Sequence, residues 1–138
     1  MIHFDGLVRN GKGLGLKDTF VHCLGLKEKE ELAALMRQAD FQVLFSRFEN
    51  LPVVILESYA SGVPVLSTDV GGIYERMDES LGLLIASEDE EALLEKLNFM
   101  IDNRHNYDSR HIRQYAEKHF SKEVIGQSLF DVYQEIVR

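Results

Sequence analysis

Two hydrophobic rhythms alternate along this chain. Val43-Leu44-Phe45 is a short apolar run bounded by polar residues, the pattern of a buried strand, and 20–24, 63–67 and 82–86 read the same way. Pro64 lies at the start of its run, where a strand tolerates the missing N–H. Between these runs the apolar spacing lengthens to that of a helix. Leu32, Leu35, Met36 and Ala39 follow the charged stretch 27–31, Pro52 opens a helix predicted over 52–60, and Gly71-Gly72 makes a turn into a short helix ending at Met77. Strands alternating with helices over short connections predict an α/β domain, a parallel sheet with helices on both faces. The last third is helical. Ser87-x-x-Glu90 has the form of a capping box, with Ala92, Leu93, Leu97, Met100 and Ile101 as the inward face behind it. A helix over 107–119 directs Ile112, Tyr115, Ala116 and Phe120 to the core. Ser121 caps a final helix striped by Ile125, Leu129, Val132, Tyr133 and Ile136.

Composition narrows the partners. At 138 residues the chain is one domain with room for a core, and its formal net charge of -8 disfavours a nucleic-acid backbone or an anionic membrane as principal partner. Cys23 is the single cysteine, so no intrachain disulfide forms and a reducing, cytoplasmic setting is the simpler expectation. No secretory pattern is present and no apolar run is long enough to span a bilayer. Gly11, Gly13 and Gly15 interrupt what would be a helix, each at a cost of about 1 kcal/mol relative to Ala. Residues 1–19 therefore read as a truncated or poorly ordered remnant of the domain start, and 20–138 as the domain proper.

The candidate chemistry lies around the helix that Pro52 opens. Glu49 falls in the strand-to-helix loop and Glu57 about one and a half turns into the helix, its side chain leaning back toward the N-terminus. Pro52 to Glu57 is a rise of roughly 8 Å. Between the two carboxylates are the unpaired N–H groups of a helix start, at Leu51, Val53 and Val54, which favour an anion such as a phosphate. Carboxylates repel phosphate and suit hydroxyls. A ligand with hydroxyls at both ends and an anionic middle is the chemistry of a nucleoside diphosphate sugar. Solvated surface glutamates are the bland alternative.

The surrounding residues resemble the C-terminal half of the GT-B glycosyltransferases, in particular the retaining group 1 family. The family pattern appears as Ser46, Glu49, Pro52 and Glu57, then Ala60-Ser61-Gly62-Val63-Pro64-Val65, then Gly71-Gly72-Ile73-Tyr74-Glu75. Several separated elements agreeing in order and spacing are far more specific than a pair of glutamates. The resemblance, which runs from about Phe20 to the C-terminus, implies a Rossmann-like doubly wound sheet. It implies Glu49 beside the donor sugar at the reaction centre, Glu57 on the ribose hydroxyls, and the segment Asn50, Leu51, Pro52, Val53 and Val54 at the diphosphate. It also places Gly25 and Leu26 near the nucleobase and requires no metal or other cofactor.

The implied reaction is transfer of a sugar from a nucleoside diphosphate to a hydroxyl acceptor with retention, with cell-surface polysaccharide or glycolipid synthesis the common setting. A complete relative has an N-terminal acceptor domain and an Arg and a Lys on the diphosphate, none of which is recognisable here. The chain alone is accordingly expected to be inactive, and a parent enzyme to work in the cytoplasm or at the inner membrane face. The final helix of the family reaches toward the N-terminal domain, so an uncovered apolar stripe points to homodimerisation. A noncatalytic interaction or regulatory domain of the same fold is the alternative from another class, and the Glu49 to Glu57 spacing argues against a sugar-nucleotide epimerase.

Other residues have plainer readings. His105, His111 and His119 lack the close spacing of zinc ligands, and Asp69 forms a turn before Val70-Gly71-Gly72. Arg47 reads as a solvated arginine and Cys23 as a small core residue. Glu75 either closes the pocket behind the glycines or caps a short helix.

Overall fold

A computed structural model describes residue 22 and residues 24–137. Three parallel strands form its sheet, β1 (Gln42–Leu44), β2 (Val65–Thr68) and β3 (Gly82–Ile85), in the spatial order β1-β2-β3. Val43 pairs with Leu66 and Leu66 with Leu83, so the strands are in step across the sheet. The helices are α1 (Lys29–Met36), α2 (Val53–Ser61), α3 (Glu90–Asn103), α4 (Ser109–Phe120) and α5 (Lys122–Ile136), with single 3-10 turns at Tyr74–Arg76 and Arg104–Asn106.

The central strand shows why the sheet is covered twice. All four residues of β2 are buried, and successive side chains of a strand point to opposite faces. Val65 joins Ile55 and Tyr59 of α2 and Ile112 and Ala116 of α4 on one face. Leu66 joins Ile85 and Met100 of α3 on the other, with Val43, Leu83, Leu93 and Leu97 around them. A fully buried Ile or Leu contributes about 1.5–3 kcal/mol, so each helix is held mainly by the apolar face it turns to the sheet. Gly62 ends α2 in the left-handed region at φ 77°, where the peptide oxygen of Ser109 would lie 2.7 Å from an added Cβ. α2 and α4 approach closely there because no side chain separates them.

The structure redraws several predicted boundaries. Phe45 lies outside β1, α2 begins one residue after Pro52, and β2 starts two residues later and ends one later than 63–67. Ala39 falls beyond α1, Tyr107 lies before α4, and the helix expected through Met77 is one 3-10 turn. α3 is capped by Asp89, whose carboxylate accepts from the Ala92 N–H at 2.9 Å, and not by Ser87. Glu88 has φ 63°, outside the helical region, so no helix can start directly after Ser87 and the cap falls to Asp89. Ile101, expected on the inward face, is 49% exposed. Ser121 does cap α5, accepting from Val124 N–H at 3.3 Å. The readings that rest on residues 1–21 and on Cys23, including the strand over 20–24, lie outside the described residues.

α5 has no buried residue. Leu129, Val132, Tyr133 and Ile136 are each more than half exposed, and the principal described neighbour of the helix is α4. No helix among the described residues is long and apolar enough to cross a membrane.

Candidate functional site

The C-terminal ends of all three strands converge on one residue. Ser46 follows β1, and its N–H donates to the hydroxyl of Thr68 at the end of β2 at 3.2 Å, while that hydroxyl donates back to the Ser46 carbonyl at 2.7 Å. Ser87, just past β3, reaches the same carbonyl at 3.5 Å. Thr68 is wholly buried, so this double contact fixes the loop from β1 to α2 against the middle of the sheet. In open α/β sheets, ligands bind at this end of the strands.

Glu49 is held within that loop. The Ser46 hydroxyl donates to its Oε1 at 2.9 Å, which restricts the half-buried carboxylate and leaves its other oxygen for a ligand. The next turn grips the backbone: Gly72 N–H donates to the Asn50 carbonyl at 2.8 Å. Gly71, at φ 61°, lies so close that an added Cβ would stand 2.0 Å from the Glu49 carbonyl oxygen. The two glycines therefore seat Glu49 and Asn50, and Glu75 is exposed in the 3-10 turn beyond them.

Pro52 is the N-cap of α2, extended at φ -69° and ψ 127°, with no side-chain cap. Ile55 N–H reaches back to the Pro52 carbonyl at 3.1 Å, whereas helix geometry gives the N–H groups of Val53 and Val54 no partner within the helix. A helix start without a side-chain cap leaves its donors and its positive end to an incoming anion. Val53 is 65% exposed at this end, Leu51 is half-buried, and Val54 turns inward to line an apolar cavity beside β1 and α1.

Glu57 lies farther along α2, in a groove of about 240 Å³ between α1 and α2 that it shares with Lys29, Arg37, Ala60 and Ser61. Ser61 touches Met36 across the same groove, with its hydroxyl 4.0 Å from the sulfur. The C-terminal ends of the two helices therefore lie side by side, and Lys29, the first residue of α1, is on the Glu57 wall. Gly25, at φ 67° with open space around it, and Leu26, 87% exposed, precede α1 at this end. Glu49 and the α2 N-terminus thus lie at the C-terminal edge of the sheet, while Glu57 lies in the α1–α2 groove and residues 25–26 precede α1. Sequence reasoning missed Thr68 and Lys29. Thr68 is 22 residues from its partner Ser46, and Lys29 sat in a charged run that carried no site signal.

Arg47 is exposed and paired with Glu88 at 2.9 Å. His111 bonds the Ser80 hydroxyl at 3.0 Å and His119 stacks on Tyr115 with ring centroids 4.5 Å apart. No group of three or more His, Cys, Asp or Glu placed to hold a metal occurs among the described residues.

A parallel sheet covered on both faces, with a loop-to-helix ledge at its C-terminal edge, is the architecture of the GT-B glycosyltransferases. Sucrose-phosphate synthase from Thermosynechococcus elongatus superimposes with a TM-score of 0.82 at 24% identity, over 94% of this chain and 33% of that one. HepE from Anabaena, in complex with UDP, gives a TM-score of 0.79 at 22% identity, over 94% and 36%. In sequence, the lipopolysaccharide core biosynthesis mannosyltransferase LpsB of Rhizobium meliloti is 31% identical over 107 residues, 74% of this chain and 30% of that protein. The family model described as glycosyl transferases group 1 matches residues 5–103. The chain belongs to that family, and it spans about a third of the length of the proteins it matches.

Proposed function

We propose that this chain is the donor-binding part of a retaining glycosyltransferase, one that passes a hexosyl group from a nucleoside diphosphate sugar to a hydroxyl acceptor. The observation that carries this reading is the α2 start, with free N–H groups between a Glu49 fixed by Ser46 and a Glu57 set in its own groove. The diphosphate lies against the N–H groups of Leu51, Val53 and Val54, with Asn50 and Pro52 shaping the turn. The ribose hydroxyls are held by Glu57, and the base lies over Gly25 and Leu26. UDP in HepE, a neighbour in fold, supports this choice of ligand class.

As the glycosidic bond breaks, charge grows on the departing diphosphate. Preorganised donors stabilise it at little cost in reorganisation, and the helix start supplies such donors here. The free oxygen of Glu49 orients the sugar and offsets positive charge developing at the anomeric carbon. No metal enters the reaction in this reading. Lys29, on the Glu57 wall, adds a cation on the side of the nucleotide. Most of the acceptor site belongs to an N-terminal domain, and no Arg and Lys clamp for the diphosphate is recognisable in the opening of this one, so the chain by itself binds donor without turnover. LpsB, a relative in lipopolysaccharide synthesis, supports cell-surface polysaccharide or glycolipid assembly in the cytoplasm or at the inner membrane face as the setting.

Ligand-observed NMR of the purified chain with UDP, GDP and ADP tests the reading. Saturation transfer to the ribose protons of one nucleotide is expected, falling about tenfold or more in Glu57→Ala, as loss of a charged hydrogen-bond acceptor implies. No transfer to any of the three from a folded chain would instead favour a noncatalytic domain of the same fold.

A further inference from the structure

A further cavity opens beside Ser46, the residue whose hydroxyl holds Glu49. It measures about 310 Å³ and is lined by Phe45, Ser46, Arg47, Glu88 and Glu90, from the ends of β1 and β3. That volume is at the lower end of the range for small-molecule sites, roughly 300–1,000 Å³. Ser46 belongs to both places, since the hydroxyl that restrains Glu49 is on a residue of this wall.

The chemistry of the lining is specific. Arg47 Nε donates to Glu88 Oε1 at 2.9 Å, a contact that uses one of five guanidinium N–H groups and one carboxylate oxygen. The remaining donors and acceptors are presented side by side, the arrangement that bridges neighbouring hydroxyls of a sugar. Glu88 has φ 63°, the left-handed region that glycine occupies at lower cost. Phe45 in the wall is 39% exposed, and an aromatic ring suits the apolar face of a pyranose. Two carboxylates against one guanidinium leave this wall with a net negative charge, which disfavours an anionic ligand.

We infer that this cavity is a subsite for the neutral carbohydrate portion of the acceptor, with Arg47 and Glu88 on its hydroxyls and Phe45 as the stacking surface. The inference rests on the glycosyltransferase reading, because an acceptor hydroxyl must reach the anomeric carbon beside Glu49. It gives this chain a share in acceptor recognition as well as donor binding.

Amide-resolved NMR of the whole chain separates the two claims. The probes are methyl α-D-glucopyranoside, methyl α-D-mannopyranoside and sucrose, with glucose 1-phosphate as the anionic counterpart and UDP as an independent probe of the donor ledge. At least one neutral sugar should shift the amides of 45–48 and 87–90 saturably, and bind at least about tenfold more weakly to Arg47→Ala and Glu88→Gly. Glu88→Gly removes the carboxylate at a position where glycine is unstrained, so the fold and the UDP response should persist. UDP shifts without saturable sugar shifts, sugar binding retained in Glu88→Gly, or tighter binding of glucose 1-phosphate through these same amides would each overturn the subsite. Absence of UDP shifts would count against the donor reading on which it rests.

Discussion

At the scale of single residues, hydroxyl groups decide much of this molecule. Thr68 and Ser46 use theirs to hold the loop from β1 to α2, with the hydroxyls of both bonded. Tyr59 is the contrast. It is fully buried on α2, edge-on to Tyr115 at 5.9 Å, and its hydroxyl has no partner among the described residues. Burial pushes the phenol far above its ordinary pKa, with Tyr115 and Asp78 adding to the effect, so it stays protonated throughout the range in which the protein folds. An unmade buried hydrogen bond costs about 1–3 kcal/mol, so removing the hydroxyl removes a liability. Tyr59→Phe is expected to leave stability unchanged or raise it by up to about 1 kcal/mol in urea unfolding. A loss larger than about 1 kcal/mol would mean that the hydroxyl has a partner the structure does not show.

At the scale of elements, burial and pattern agree on the sheet and part company on α5. The run 63–67 predicted β2 within two residues because a strand buried on both faces has no polar interruption to mislead the reading. α4 was similarly legible, since Ile112 and Ala116 recur one turn apart and both are buried. The stripe of α5 shows the same periodicity with none of the burial, because periodicity records which residues share a face and not what meets that face. Ile112→Ala should therefore cost about 2–5 kcal/mol, whereas Leu129→Gln, 55% exposed, should stay within about 0.5 kcal/mol, both read from urea midpoints at constant slope. Comparable losses from the two would show that α5 is covered in solution. The Ser87 capping reading failed for a local reason: Glu88, between the two competent caps, is left-handed at φ 63°, so the helix starts only after Asp89.

For the whole molecule, family membership, fold and candidate site meet at the C-terminal edge of the sheet. The spacing of Glu49 and Glu57 was legible because both belong to one loop and one helix. Their supports were not, since Thr68 and Lys29 arrive from other elements and gain meaning only when the sheet and α1 are in place. At a net charge of -8, the anionic donor proposed for this chain would be held by local donors such as a helix start and not by the overall field.

The central claim is that α2 opens onto the diphosphate of a sugar nucleotide. The most direct measurement is a two-dimensional ¹⁵N–¹H spectrum of the chain titrated with UDP, or with whichever of GDP and ADP binds more tightly. The account predicts that the largest saturable shifts fall on the amides of Leu51, Val53 and Val54, with smaller ones at 25–26 and around Glu57. Saturable shifts centred elsewhere, with these amides unmoved, would contradict it.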